Sequence, residues 1–193
     1  MKVMISTVYI QKAVIAAIQR LSPEKIVFLI DPKNKEKSDL SEIKKVCGDV
    51  IPIEILKTDS YDMLKIASDV VKKIEKEHSD GNEIILHITE GRKTMAIASM
   101  YAAYARKKMV KGIYYITEEK NELISLPVLE IQMNSTKGKI MKEYVKGNKD
   151  VKKLAKILGK TEAMVYAHIS DLKDEGYISE DNELTDSGRI VIL

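Results

Sequence analysis

Over roughly its first 118 residues this chain alternates between continuous apolar runs and apolar residues at helical spacing. "KVMIS" (Lys2–Ser6) is a short run, and "QKAVIAAIQRL" follows with Val14, Ile15, Ile18 and Leu21 on one helical face. "KIVFLI" is continuous and rich in branched residues, as suits a strand covered on both sides, and Asp31-Pro32 breaks it. "SDLSEIKKVCG" predicts a helix stopped by Gly48, and "VIPIEIL" a strand whose Pro52 argues for an edge or irregular position. "SYDMLKIASDVVKKIEKEH" predicts the next helix, capped by Ser60, with Met63, Leu64, Ala67, Val70, Val71 and Ile74 as its stripe and Gly81 beyond its end. "EIILHI", "KTMAIASMYAAYARKK" and "GIYYIT" complete a β-α-β-α-β-α-β-α-β order. Such an order predicts an α/β fold, with a mostly parallel sheet, helices on both faces and right-handed connections.

The rhythm changes after Thr117. "EEKNELISLPVLEIQMNS" reads as a polar turn, a short strand-like piece and an extended connector, which puts the domain boundary near Asn134 and predicts domains 1–134 and 135–193. "TKGKIMKEYVKG" then places Ile140, Met141, Tyr144 and Val145 on one helical face. "DVKKLAKILG" predicts a second helix capped by Asp150, burying Val151, Leu154, Ala155 and Leu158, and ended by Gly159. The third, "TEAMVYAHISDLKDEGYI", has Thr161 at its N-cap and Val165, Ile169 and Leu172 on its buried face, leaving Ala163, Met164, Tyr166, Ala167 and Ser170 outward. Two helices joined by a tight turn, the second with a small or polar outer face, predict a helix-turn-helix. "GYISEDNELTDSGRIVIL" predicts two short strands around "SEDNE", a wing.

Composition narrows the function classes. A chain of 193 residues with 45% hydrophobic and 32% charged residues is globular and holds one ordinary domain or two small ones. Net charge is +3, so only local clustering can argue for a polyanionic partner. Cys47 stands alone and can form neither an intramolecular bridge nor a cysteine metal site, which favours a reducing, intracellular setting. His78, His87 and His168 lack ligand spacing, so no metal is expected. No run approaches the roughly 18 apolar residues of a membrane span. The opening "MKVMISTVYIQKAVIAAIQR" superficially resembles a signal peptide, but Ser6, Thr7, Gln11 and Lys12 interrupt it and no cleavage site follows. The first strand and helix of a cytoplasmic domain are expected instead.

Local charge does cluster. Between Lys137 and Lys160 stand nine lysines (137, 139, 142, 146, 149, 152, 153, 156 and 160) and only two acids, Glu143 and Asp150. Cations on the first two helices and the turn suit phosphates of double-stranded DNA, with the third helix entering the major groove. The candidate DNA-binding set is Lys149, Lys160, Thr161, Ala163, Met164, Tyr166, Ala167, His168, Ser170, Lys173 and Arg189. Met164 and Ala167 suit thymine methyls, Tyr166 and Ser170 can hydrogen-bond or stack, and His168, beside the core face, reads as structural or phosphate-contacting. Glu180, Asp181 and Glu183 would repel phosphate, which leaves Arg189 as the backbone contact of the wing. No Arg or Asn on the third helix offers a bidentate base contact, so sequence preference is expected to be modest. A winged helix can equally serve protein interaction alone, and that alternative stays open here.

The other candidate site is the junction "HITEGRKT" after the fourth strand. In open α/β sheets ligands bind outside the carboxyl ends of strands, and the first amides of the next helix form a positive terminus. Gly91 permits close backbone approach, Thr89 offers a hydroxyl, and Arg92 and Lys93 add charge, so an anion such as phosphate fits. The bland alternative is an ordinary βα turn. The loop is not a Walker motif, because Gly-x4-Gly-Lys is absent, and no Gly-x-Gly-x-x-Gly follows the first strand, so no dinucleotide cofactor is expected.

Two resemblances follow from these residues. "LAKILGKTEAMVYAHISDLKDEGYI" followed by "LTDSGR" is similar to the winged helix-turn-helix of bacterial and archaeal regulators. Over nearly its whole length the chain resembles the CRISPR-associated Rossmann-fold (CARF) regulators with a C-terminal winged helix. Their strand-4 motif reads approximately Asn-x-Thr-Gly-Gly-x-Lys. Thr89, Gly91 and Lys93 match it, while His87 stands for the Asn and Glu90 for the first Gly. The resemblance implies a Rossmann-like domain and a homodimer with a cyclic oligoadenylate, usually the tetra-adenylate, bound across the two-fold axis. It implies a ligand set of Ser6, Thr7, Tyr9, His87, Thr89, Glu90, Gly91, Arg92, Lys93 and Thr94, and a pair of winged helices on DNA. Three functions remain open at this point: a ligand-controlled regulator, a ring nuclease that cleaves the oligoadenylate, and an interaction scaffold. No paired acid and base is visible for cleavage.

Overall fold

The computed structural model describes residues 1–33, 40–48, 50–130 and 133–193. The chain divides into two compact units, Met1–Glu130 and Ile131–Leu193, a few residues ahead of the boundary expected near Asn134. Residues 38 and 39 of the expected second helix lie outside the described residues.

Among the described residues the first unit has six strands: β1 (Lys2–Thr7), β2 (Lys25–Ile30), β3 (Ile53–Lys57), β4 (Glu83–His87), β5 (Val110–Ile116) and β6 (Leu123–Leu126). Their order is β3-β2-β1-β4-β5-β6, parallel except for β6, which pairs antiparallel with β5. The helices are α1 (Gln11–Leu21), α2 (Ser41–Cys47), α3 (Met63–Ser79) and α4 (Lys93–Ala105). β1 and β2 are buried along almost their whole length, as their unbroken apolar runs require. β3 is half-exposed and lies at the edge, in line with Pro52 beside it. Val14, Ile18, Phe28, Ile43 and Ile85 share one core cluster beneath α1 and α2. α3 and α4 pack together.

The order of the strands fixes the position of the site. From β1 the chain steps outward through β2 to β3, then α3 returns it to β4 on the other side of β1. β1 and β4 are therefore the neighbours between which the winding reverses. In open α/β sheets the ligand crevice lies outside the carboxyl ends of such a pair. At the amino end of β2 a part-buried ionic cluster ties α3 to the sheet. Lys73 Nζ lies 2.6 Å from both Glu54 carboxylate oxygens and 2.7 Å from Glu77 Oε1. Lys25 Nζ donates to Glu77 at 2.7 Å and Asn82 Nδ2 donates at 2.8 Å.

The cap of α3 differs from expectation. Asp62, not Ser60, accepts from the Lys65 amide, so the helix starts at Met63, and Ser60 is buried in the preceding loop. The Asp62 side chain reaches the amide three residues on, which Ser60 is two residues too early to do.

The second unit comprises α5 (Ser135–Val145), α6 (Val151–Leu158), α7 (Glu162–Asp174) and α8 (Asp186–Val191). Asn134, Asp150, Thr161 and Thr185 cap them through side-chain oxygens. Gly159 closes α6 at φ +62, the left-handed turn that sets α7 against it. Ile140, Met141, Tyr144, Leu154, Val165, Ile169 and Leu172 form the core. Val145, expected on that face, is instead exposed at the last turn of α5. The expected two-stranded wing is reduced to a single antiparallel bridge, Ile178 to Leu184. After that bridge, the rest of the segment "GYISEDNELTDSGRIVIL" expected to form the wing folds as the helix α8. Its branched residues favour a strand, but Thr185 accepts from the Gly188 amide and Asp186 lies in the first turn, a start signal that wins locally. Gly188 sits so close to Tyr177 that an added Cβ would fall 2.4 Å from its carbonyl oxygen.

Candidate functional site

Two loops meet at the switch point, residues 8–10 after β1 and residues 88–92 after β4. They are fastened by a chain of hydrogen bonds whose direction can be worked out. Ser6 Oγ donates its one proton to the Thr7 carbonyl at 2.8 Å, so at 2.9 Å it must accept from His87 Nδ1. The neutral ring then carries its proton on Nδ1, and Nε2 accepts from Thr89 Oγ1 at 2.8 Å. Thr89 Oγ1 in turn accepts from the Ile116 amide at 2.6 Å. Burial pushes His87 down to about 4, which keeps it in this neutral form. One continuous chain thus ties the carboxyl ends of β1, β4 and β5.

The expected ligand residues fall into distinct environments. Ser6, Thr7 and His87 are buried and Thr89 half-buried, so they form the floor. Among the described residues, Thr7 Oγ1 is the buried side-chain polar atom with no hydrogen-bond partner. Thr7 packs against Gly91, whose φ is +88 and where an added Cβ would lie 3.2 Å from Thr7 Cβ, so the sharp turn requires a glycine. Tyr9 and Ile10 are about half exposed in the first loop. Lys93 is exposed at the start of α4, whose N-cap, Arg92, supplies no side-chain cap. Thr94 donates to the Ser60 carbonyl at 2.5 Å, binding α4 to the loop after β3.

Glu90 and Arg92 do not pair with each other. The Glu90 carboxylate accepts from the Ile10 amide, at the N-cap of α1, at 3.3 Å. Burial, with the Glu118 carboxylate nearby, raises its pKa against the lowering effect of that amide. Arg92 lies over the Tyr61 ring at 4.7 Å. Tyr61 is missed by sequence reasoning. Its one signal is an aromatic residue in an otherwise polar loop, which Asp59 holds by accepting from the Tyr61 and Asp62 amides.

In the second unit the turn between α6 and α7 presents Lys160 and Thr161, both exposed. Ala163, Met164, Tyr166, Ala167 and Ser170 lie on the exposed side of α7, and His168 is half-buried. Arg189 is exposed, on α8 rather than on a wing strand. Lys173 Nζ donates to the Glu180 carbonyl at 3.2 Å. The lysine cluster is less free than its sequence density suggests. Lys137 pairs with Asp171 of α7 at 3.0 Å and with Glu175 at its C-cap at 2.7 Å, Lys146 with Glu143 at 2.6 Å, and Lys149 with Glu183. Among the described residues, Lys139, Lys142, Lys152, Lys153, Lys156 and Lys160 are exposed and make no ion pair, so the unpaired cations of the cluster lie on α5, on α6 and in the turn.

A mostly parallel sheet followed by a capped helix-turn-helix defines a two-unit α/β protein with a C-terminal helix-turn-helix module. The family comparison makes this specific. The model of the Card1 CARF domain matches residues 3–144, and the chain belongs to that family. The arsR family of bacterial regulatory proteins matches residues 134–180, so α5 is shared by both matches. A CARF domain joined to such a helix-turn-helix is the plan of a CRISPR-associated DNA-binding regulator.

Solved structures agree in fold. Csm6 of Enterococcus italicus, bound to cyclic hexa-2′-fluoro-hexa-dAMP, is 11% identical with a TM-score of 0.50, over 93% of this chain and 57% of its own. Can2 of Sulfobacillus thermosulfidooxidans, in complex with cyclic tetra-adenylate, is 14% identical with a TM-score of 0.50, over 98% and 62%. VC1899 of Vibrio cholerae is 11% identical with a TM-score of 0.53, over 99% and 64%. The chain therefore spans about three-fifths of the length of these structures. An uncharacterized protein of Archaeoglobus fulgidus is 21% identical over 165 residues, 78% of this chain and 74% of its own. Among the described residues no helix is long and apolar enough to cross a membrane and no cluster of potential metal ligands occurs.

Proposed function

We propose that the protein is a homodimeric, ligand-responsive DNA-binding regulator of a CRISPR system, controlled by a cyclic oligoadenylate, with the tetra-adenylate as effector. The observation that carries this reading is the β4–α4 junction. An uncapped helix N-terminus, with Arg92 and Lys93 beside it and Gly91 in a left-handed turn, lies at the switch point of the sheet. A phosphodiester ring needs such a terminus at intervals around it, and two copies related by a two-fold axis supply two.

The face of α4 supports the second copy. A surface helix normally divides into an apolar and a polar side, whereas α4 is apolar all round. It buries Met95, Ala98, Ser99, Ala102 and Ala103 inward. Outward, Ile97, Met100, Tyr101 and Tyr104 form a second stripe at i, i+3, i+4 and i+7, half-buried except for Ile97, which is 42% exposed. Such a stripe suits self-association directly beside the ligand loop. Ring cleavage is the less favoured reading. The Ser6 hydroxyl and the His87 imidazole that could assist it are both engaged in the buried chain, and His87 is held neutral.

Calorimetric titration with cyclic tetra-adenylate tests the reading. One ring per two chains, with binding weakened in Lys93→Ala, is expected. No heat and no thermal shift in the unaltered protein would refute ligand control through this site.

A further inference from the structure

Two helix N-termini converge on the switch point, and they differ. α4 opens without a side-chain cap. α1 has no cap from its own residues and no acid in its first turn, yet its Ile10 amide is taken by a carboxylate that enters from the opposite loop, Glu90. The contact mimics the reciprocal half of a capping box, in which a Glu accepts from the N-cap amide. Here the acid belongs to another element of the fold.

We infer that Glu90 is a built-in anion that occupies the α1 terminus of the site and must be displaced when a phosphate of the ligand enters there. This rests on the functional reading given above and adds the regulation of the same site. Three observations favour displacement over a permanent structural role. The hydrogen bond is long, at 3.3 Å. Glu90 is half-buried near the Glu118 carboxylate, and the carboxyl is pushed above its usual range by burial and by that neighbour. Beneath the same loop the Thr7 hydroxyl is buried without a partner and packs against Gly91, a donor that a shift of Glu90 and Gly91 would open to an incoming oxygen. The latch therefore holds the site closed weakly. It sets a threshold: a ligand engaging only the α4 terminus gains nothing from Glu90, while a ring with regularly spaced phosphates can replace it.

The test has two parts. First, the full chain is titrated with cyclic tetra-adenylate as the unaltered protein, as Glu90→Gln and as Lys93→Ala. Removing one charge at a helix terminus is expected to tighten binding about three- to tenfold in Glu90→Gln, while Lys93→Ala weakens it. Equal affinity of Glu90→Gln and the unaltered protein, or weaker binding in Glu90→Gln, would overturn the latch while leaving the functional reading intact. Absence of binding in every form would overturn both. Second, amide exchange is followed at Ile10 without ligand, in the unaltered protein and in Glu90→Ala. Faster exchange in Glu90→Ala is expected, and unchanged exchange would show that the contact does not exist in solution, whatever the titration gives.

Discussion

Replacing Thr89 by Val tests the hydrogen-bonded floor of the site most sharply. Valine keeps the shape and removes one oxygen, and that oxygen serves two partners, His87 Nε2 and the Ile116 amide. His87 is fully buried, so its ring nitrogen has no water to turn to. An unsatisfied buried group costs about 1–3 kcal/mol. Two groups would cost up to about 6, but Thr89 is only half-buried and water can reach the Ile116 side, so we expect about 2–4 kcal/mol. For a unit of this size that corresponds to roughly 8–16 °C in Tm, at about 4 °C per kcal/mol. Thermal unfolding followed by circular dichroism would measure it, with Thr89→Ser, which keeps the oxygen, as the control. A loss below about 2 °C in Thr89→Val would refute the ordered chain from Ile116 to Thr7.

Other outcomes follow from the same structure. His87 has a folded pKa of about 4 against 6.5 unfolded, so the unfolded chain binds the proton first. Stability should fall by about 3 kcal/mol as pH drops from 6.5 towards 4, and this slope should be absent in His87→Asn when urea midpoints are compared across that window. Glu77 goes the other way. Its burial alone would raise the pKa, but hydrogen bonds from Lys25, Lys73 and Asn82 bring it down to about 2. Its contribution is therefore complete above about pH 4.5 and is lost as pH falls towards 2. Glu77→Gln should cost about 3 kcal/mol in denaturant titrations at neutral pH, because Lys73 and Lys25 keep only Glu54. On DNA, Lys156→Ala and Lys160→Ala should each reduce the slope of log affinity against log salt by about one. Lys137→Ala should leave that slope unchanged and lower the Tm of the second unit, since Lys137 ties α5 to α7.

The parts of this account legible in sequence are those governed by short periods. The continuous runs of β1, β2 and β4 can only be covered strands, and the stripes of α3, α6 and α7 fix their buried faces. The Gly91 turn with Arg92 and Lys93 announces itself as a place for an anion. What sequence concealed depends on distant partners or on competition at one position. The lysine cluster looked unopposed because Asp171, Glu175 and Glu183, which neutralise Lys137 and Lys149, lie more than 30 residues away. The contact of Glu90 spans 80 positions and crosses from one loop to another, so its direction could not be read from the loop alone. In the segment expected to form a wing around "SEDNE", the Thr185 cap starts a helix after the single bridge. Val145 continues a face by spacing but sits at the frayed end of α5, beyond the core.

The central claim couples the two units, and the affinity for DNA with and without effector tests it directly. The full chain would be titrated against duplex DNA from the region upstream of its own gene, at one fixed salt concentration, without and with saturating cyclic tetra-adenylate. The account predicts that the effector changes DNA affinity by roughly 5- to 150-fold, the usual range of coupling between sites, and that Lys93→Ala abolishes the change while keeping basal DNA binding. Unchanged DNA affinity with the ring demonstrably bound, or salt-insensitive association with DNA, would contradict it.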